Sequence, residues 1–169
     1  PTAEKIRRLM HYGQIVQSHA VHFFHLCSPD LLFGFDSDAA RRNIVAVAQA
    51  HPETARQGVL LRKFGQEVIR VTAGKRVHGT GSVPGGVNKT VTPEERDALL
   101  ADVYQMIAWS RGAVGLIKDL HALNPALYNS FGVFRSNLMS LVGIEGALDF
   151  YHGRLRARSE NGDVLFDGV

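Results

Sequence analysis

Cysteine is almost absent: Cys27 is the single thiol in 169 residues. That excludes an internal disulfide and any Cys-x-x-Cys site. A lone thiol fits a reducing compartment. Long apolar runs are missing as well, since none approaches the ~20 residues a membrane helix needs. No membrane partner is therefore expected. The chain opens Pro1-Thr-Ala-Glu-Lys5, without the basic-then-apolar pattern of a signal peptide. It also opens without Met, as a piece of a longer protein would. Charge of one sign is scarce. The formal net charge of +3 is small and dispersed, which excludes the basic footprint of a nucleic-acid binder. No Gly-x-Ser-x-Gly elbow is present for a serine hydrolase, and no internal repeat breaks the chain into modules.

What remains is ordinary for one globular domain with a real core: 45% apolar and 21% charged residues. The pattern is mainly helical. Residues 3–26 predict a first helix, with Thr2 as N-cap and Ile6, Leu9, Met10, Gly13, Val16, Ala20 and Phe23 at helical spacing. Its other face carries His11, Ile15, Ser18, His22 and His25. Two such faces imply burial nearly all round. Ser28-Pro29-Asp30 ends this helix, and residues 31–36 follow as an apolar link. Asp36 or Ser37 caps a second helix over 38–50. Pro52 opens a third over 52–72, with Val59, Leu60, Phe64, Val68 and Val71 on one side. Gly58 and Gly65 in it point to close packing against another backbone. Thr92-Pro-Glu-Glu95 is a capping box that starts the longest helix, 93–121. Gly112 and Gly115 within it suggest packing or a bend. Asn124-Pro125 stops it. After a short apolar stretch, Ser136–Val142, the texture turns to strand: 148–166 reads as a β-hairpin with a type I′ turn at Glu160-Asn-Gly-Asp163. The fold class is α+β, a long-helix bundle with a C-terminal hairpin.

Between the two longest helices lies a Gly-rich basic loop, 74–91. It holds Gly74, Gly79, Gly81, Gly85, Gly86 and Pro84, beside Lys75, Arg76, His78 and Lys89. One reading is a surface connection that needs several positive φ angles. The other is a backbone that approaches a partner closely. A phosphate cradle is disfavoured, because the loop follows a helix and lacks the P-loop lysine pattern. For Arg76 a local ion pair with Glu67 or Asp97 is one alternative. The histidines of the first helix are candidate metal ligands by type. However, His19, His22 and His25 step by three and swing around the helix. No Asp or Glu lies between Lys5 and Asp30 to complete a di-metal site. Buried histidines satisfied by neighbours are the reading preferred for His22 and His25, and Cys27 reads as a small core residue.

Gly74-x-Arg76-x-His78 followed by Pro84-Gly-Gly-Val87 resembles a signature of the large subunits of nickel–iron hydrogenases and of their nickel-free relative in respiratory complex I. Gln17-Ser-His-Ala-Val-His-Phe-Phe-His-Leu26 is similar to the hydrogenase helix that follows the first nickel-binding cysteine pair. Phe64-Gly-Gln-Glu-Val-Ile-Arg70 and Gly146–Arg156 look like the cytoplasmic NAD-reducing branch. The resemblance implies an internal stretch of the hydrogen-activating subunit, lacking both nickel-binding cysteine pairs, so that this chain holds no metal ligand. It implies a nickel–iron centre elsewhere in the subunit. Iron–sulfur clusters would lie in a small-subunit partner, with flavin and NAD on diaphorase subunits. Ser18 then sits near the metal centre, where respiratory members often carry aspartate. Arg76, His78 and His22 hydrogen-bond around that centre or across the small-subunit interface. The alternative is the complex I relative, a scaffold and quinone-pocket wall.

Overall fold

The structure, a computed structural model, describes residues 2–168. It is mainly helical with two small antiparallel sheets, and it divides into two compact units, 1–123 and 124–169.

The first unit is built on an antiparallel pair of helices, α1 (Thr2–Val21) and α4 (Pro52–Ala73). Glycine makes this pair possible. A Cβ on Gly65 would lie 2.6 Å from the Gln17 backbone nitrogen and 2.7 Å from the Gly13 carbonyl oxygen. A Cβ on Gly13 would lie 2.7 Å from a Val68 methyl, and one on Gly58 would collide with Phe24. Real side chains do not tolerate such distances, so the backbones meet where side chains are missing. The sequence expectation for Gly58 and Gly65 holds here. Around Gly112 and Gly115, no atom of the described residues lies within 4 Å of a Cβ on either, so no packing partner for them is found in this chain. The third long helix, α5 (Pro93–Leu123), adds Met106 to a core of Ala20, Phe24 and Leu61, with Phe23, Phe64, Trp109 and Ala113 against it. Full burial of a side chain the size of Phe24, Leu61 or Met106 contributes about 1.5–3 kcal/mol. Thr92 and Glu95 form the expected capping box. The Glu95 N–H donates to Thr92 Oγ1 at 3.2 Å, and the Thr92 N–H donates to Glu95 Oε2 at 3.1 Å.

Several boundaries differ from the sequence expectation. The first helix does not stop at Ser28-Pro29. It passes through a π-helical turn, His22–Cys27, and continues as α2 (Ser28–Phe33). Pro29 falls in the first turn of α2, where its missing N–H costs nothing. The second predicted helix is short, α3 (Ile44–Ala50), and Asn43 caps it, accepting from the N–H groups of Val45 and Ala46. Neither Asp36 nor Ser37 is the cap: Ser37 spends its hydroxyl on the Gly34 carbonyl, in a local turn where Asp38 also accepts from the Ala40 N–H. Val59 lies on the open side of α4, 53% exposed, while Leu61 takes the core position.

In the second unit Asn124 both ends α5 and caps a new helix, α6 (Pro125–Ser130), accepting from the Leu127 N–H. The sheet has three strands in the order β3 (Leu138–Val142), β4 (Arg154–Arg158) and β5 (Val164–Asp167), all antiparallel. The hairpin is present, but its turn is not type I′. That turn needs positive φ at two successive residues. Gly162 has φ 93°, whereas Asn161 does not lie in the positive region. Instead the Gly162 N–H donates to the Ser159 carbonyl at 2.9 Å, with a register shift at Ala157/Arg158. This is the pattern of an ordinary turn closed by a left-handed glycine and a bulge.

Candidate functional site: the glycine-rich loop

The loop begins where Gly74, at φ 80°, takes the left-handed conformation that ends α4. The chain then doubles back over the end of that helix. A Cβ on Gly81 would lie 2.6 Å from Thr72 O and from Ala73 Cα, and one on Gly79 would lie 2.5 Å from Ala73 Cβ. The Thr80 N–H donates to the Ala73 carbonyl at 3.3 Å. A two-residue hairpin follows, β1 (Ser82–Val83) and β2 (Gly86–Val87), turned at Pro84-Gly85. Proline followed by glycine at φ 82° is the chemistry of a type II turn. The Asn88 side chain donates to the Thr80 carbonyl at 2.7 Å and closes the loop on itself.

Charge fastens the loop to its neighbours. Arg76 pairs with Glu67 on α4 at 3.1 Å, and Arg70 pairs with the same carboxylate at 2.6 Å. Hydrogen bonds from Arg70 and then Arg76 hold the Glu67 carboxyl below its ordinary value. Of the two partners open to Arg76, Glu67 is the one found, and Asp97 pairs with Arg96 instead. At the far end Lys89 donates to Glu95 at 2.8 and 2.9 Å, which lowers that carboxyl too. From α1, Arg7 donates to Ser82 Oγ at 3.1 Å, to the Val83 carbonyl at 3.2 Å and to the Gly86 carbonyl at 2.6 Å. His78 stands out in this frame. It is exposed, and it is the residue other than glycine with positive φ, 52°, among those described. Left-handed backbone at a non-glycine residue is costly and clusters at functional positions.

Ser18 and His22 lie elsewhere. Both are exposed, so the burial predicted all round α1 is not found in this chain. His22 starts the π-helical turn, and its ring nitrogen Nε2 lies 3.4 Å from the Cys27 sulfur. The wider turn brings positions five apart together. Hence His22 has a thiol as neighbour, and Cys27 is half-buried with a polar partner instead of sitting in the core. His25 is half-buried with its Nδ1 unpartnered among the described residues, so neither histidine matches the satisfied, buried picture. Ser18 stands eleven residues beyond Arg7 on α1, about 16 Å along the axis at 1.5 Å per residue. The structure therefore joins Arg76 and His78 in one loop but does not bring Ser18 and His22 to them. Arg7 is the participant that sequence reasoning missed. It lies 75 residues from Ser82, and no local pattern marks it.

No family model matches the chain. Relatives do. It is 43% identical over 171 residues to the NAD-reducing hydrogenase HoxS subunit beta of Cupriavidus necator, covering 98% of this chain and 35% of that protein. It shares 42% identity over 160 residues with the vhu F420-non-reducing hydrogenase of Methanocaldococcus jannaschii, covering 95% of this chain and 38% of the matching chain. Among solved structures, an NAD-reducing nickel–iron hydrogenase in the H2-reduced state superimposes with a TM-score of 0.95 at 50% identity, over 99% of this chain and 37% of that one. The chain belongs to the nickel–iron hydrogenase large-subunit family. The fold alone extends further, to the nickel–iron–selenium hydrogenase of Desulfomicrobium baculatum at a TM-score of 0.70 and 19% identity, over 99% of this chain and 38% of that one. This hydrogenase chain spans little more than a third of the length of the relatives it matches.

The residues present do not fit the family's nickel–iron centre as ligands. Among the described residues no three His, Cys, Asp or Glu side chains are placed to hold one metal ion. The single thiol, Cys27, faces His22, and the chain has no second thiol. What this stretch of the hydrogenase large chain offers is a fastened, basic, glycine-rich loop.

Proposed function

We propose that this chain is an internal part of the hydrogen-activating subunit of an NAD-reducing nickel–iron hydrogenase, whose full reaction is the reversible H2 + NAD+ to NADH + H+. The observation that carries the proposal is the loop. Its backbone is pinned to α1 and α4 while His78 is left exposed in a strained conformation. A surface so held suits docking of a protein partner, here the small subunit with its iron–sulfur cluster. Diaphorase subunits carrying flavin and NAD complete the assembly. Identity of 43% to an NAD-reducing hydrogenase chain supports this reading over the nickel-free complex I relative. Among the described residues no helix is long and apolar enough to cross a membrane. The proposed site of action is the cytoplasm, where NAD is reduced. Lacking metal ligands, the isolated chain is expected to be inactive. In the assembly, Arg76 and His78 hydrogen-bond at the small-subunit interface. Ser18 and His22 line the part of α1 nearer the metal centre.

The test is His78→Ala in the full-length enzyme. It removes a hydrogen-bonding ring without removing a metal ligand. Loss of such an outer partner costs ~10–100-fold in activity or metal affinity. We expect nickel and iron to be retained and hydrogen-driven NAD reduction to slow within that range. Wild-type turnover would reduce His78 to a loop residue, and lost nickel would mean it stands closer to the metal than proposed. A purified complex that reduces other acceptors with hydrogen but not NAD would overturn the choice of acceptor.

A further inference from the structure

A two-stranded hairpin of two residues per strand does not hold its shape in water by itself. Among the described residues the β1–β2 hairpin joins no larger sheet. Something outside it must fix its position. The guanidinium of Arg7 meets both sides of the turn: Nη2 donates to the carbonyls of Val83 and Gly86, the pair that closes it, while Nε donates to the Ser82 hydroxyl oxygen. A planar fork with several donors reaches three acceptors at once, and hydrogen bonds from a charged donor are the stronger kind. Besides the Arg76–Glu67 and Lys89–Glu95 pairs, two contacts hold the backbone of the loop. Ala73 anchors Gly79 and Gly81 at one end, and Arg7 anchors the hairpin at the other. The strained residue His78 lies between Glu67-bound Arg76 and that second anchor.

We propose that Arg7 is a positioning residue: it locks the Ser82–Val87 hairpin to α1 so that the loop presents Arg76 and His78 to the small subunit in one conformation. This rests on the reading of the loop as the docking surface. Lysine does not substitute fully, because one ammonium is a point donor without the fork. Loss of the lock leaves the loop to be ordered during association, and ordering costs affinity.

The experiment uses the full-length large subunit with its small subunit. Dissociation constants and amide exchange over residues 79–88 are measured for Arg7→Met, Arg7→Lys and Ser82→Ala, the last leaving α1 untouched should Arg7→Met fold poorly. The expected result is faster exchange and affinity weakened at least about tenfold for Arg7→Met, with Arg7→Lys restoring part of both and Ser82→Ala a smaller loss of both. Faster exchange with unchanged affinity would make the clamp merely structural and overturn the proposal, as would unchanged exchange. Arg76→Glu and His78→Ala serve as the separate control. If neither alters affinity, the docking reading itself fails; if both weaken it and the Arg7 variants do not, only the role of Arg7 fails.

Discussion

Single residues carry the α1–α4 contact and the loop's tether, and both can be tested one atom at a time. A methyl group at Gly65 would meet the α1 backbone at 2.6 and 2.7 Å. Backbone cannot swing aside as a flexible side chain can. Gly65→Ala should therefore force the helices apart and destabilise the full-length protein by about 1–3 kcal/mol, the usual range for overpacking, against a helix-propensity gain of up to about 1 kcal/mol. Chemical denaturation checks this, and an unchanged midpoint would refute it. Glu67 gives a pH test. Hydrogen bonds from Arg70 and Arg76 hold its carboxyl below the ordinary 4.5. A lowered pKa means the unfolded chain takes up the proton first. The contribution is therefore complete above the ordinary value and is lost as pH falls through the folded one. In Glu67→Gln the charge is gone at every pH. The stability gap between wild type and this variant should stay constant from neutral pH down to about 4.5 and close below it. A gap that persists in acid would mean the carboxylate's charge is not what holds Arg76.

At the scale of elements, what was legible in the sequence is what local chemistry decides. Pro52 and the Thr92/Glu95 box fix the starts of α4 and α5 within their own first turns, and both helices begin where expected. The glycine-rich loop was legible because five glycines and a proline cannot continue a helix. Other features depend on competition between neighbours. Asp36, Ser37 and Asn43 can all cap a helix. The tertiary path of residues 34–42 decides for Asn43, with Arg42 reaching back to Asp30 at 3.3 Å and to the Phe35 carbonyl. The π-helical turn adds one residue per turn to an apolar pattern that still reads as α-helical, so the pairing of His22 with Cys27 five positions on left no trace in a 3.6-residue period. Asn161-Gly162 favours type I′ by composition. The β4–β5 register, paired at Arg158 and Val164, instead leaves a five-residue loop that an ordinary turn with one left-handed glycine can close. The candidate site divides the same way. The Arg76–Glu67 pair spans one helix end and was among the alternatives, whereas the Arg7 clamp is a contact of the finished fold.

At the scale of the whole molecule, apolar surface is left over. On α5, Leu100, Tyr104, Ile107 and Val114 recur at helical spacing and are 54%, 81%, 41% and 53% exposed. Leucine and isoleucine in one stripe along a long helix form a continuous face, which a soluble protein ordinarily buries. Gly112 and Gly115 open onto empty space in the same helix. In the other long helix, α4, Gly58 and Gly65 are filled by a neighbour, so the open glycines of α5 read as the place where another backbone packs. The second unit repeats the pattern. Phe131, Phe134, Leu138 and Met139 are 67%, 79%, 66% and 66% exposed, and Ala157 is the one hydrophobic residue buried among those described there. A three-stranded sheet with so little burial has a weak hold of its own. The chain spans 35% and 38% of two hydrogenase relatives, and the remaining length of such a protein supplies ample surface to cover these faces. Expressed alone, the 169-residue chain should therefore self-associate, with a light-scattering mass well above one chain and binding of an apolar dye that rises with concentration. Changing Leu100, Ile107 and Val114 together to polar residues should reduce both. A monodisperse monomer with a sharp two-state melt would show that this stretch satisfies its own core, and that the exposed stripe on α5 is not the seat of the rest of the large subunit.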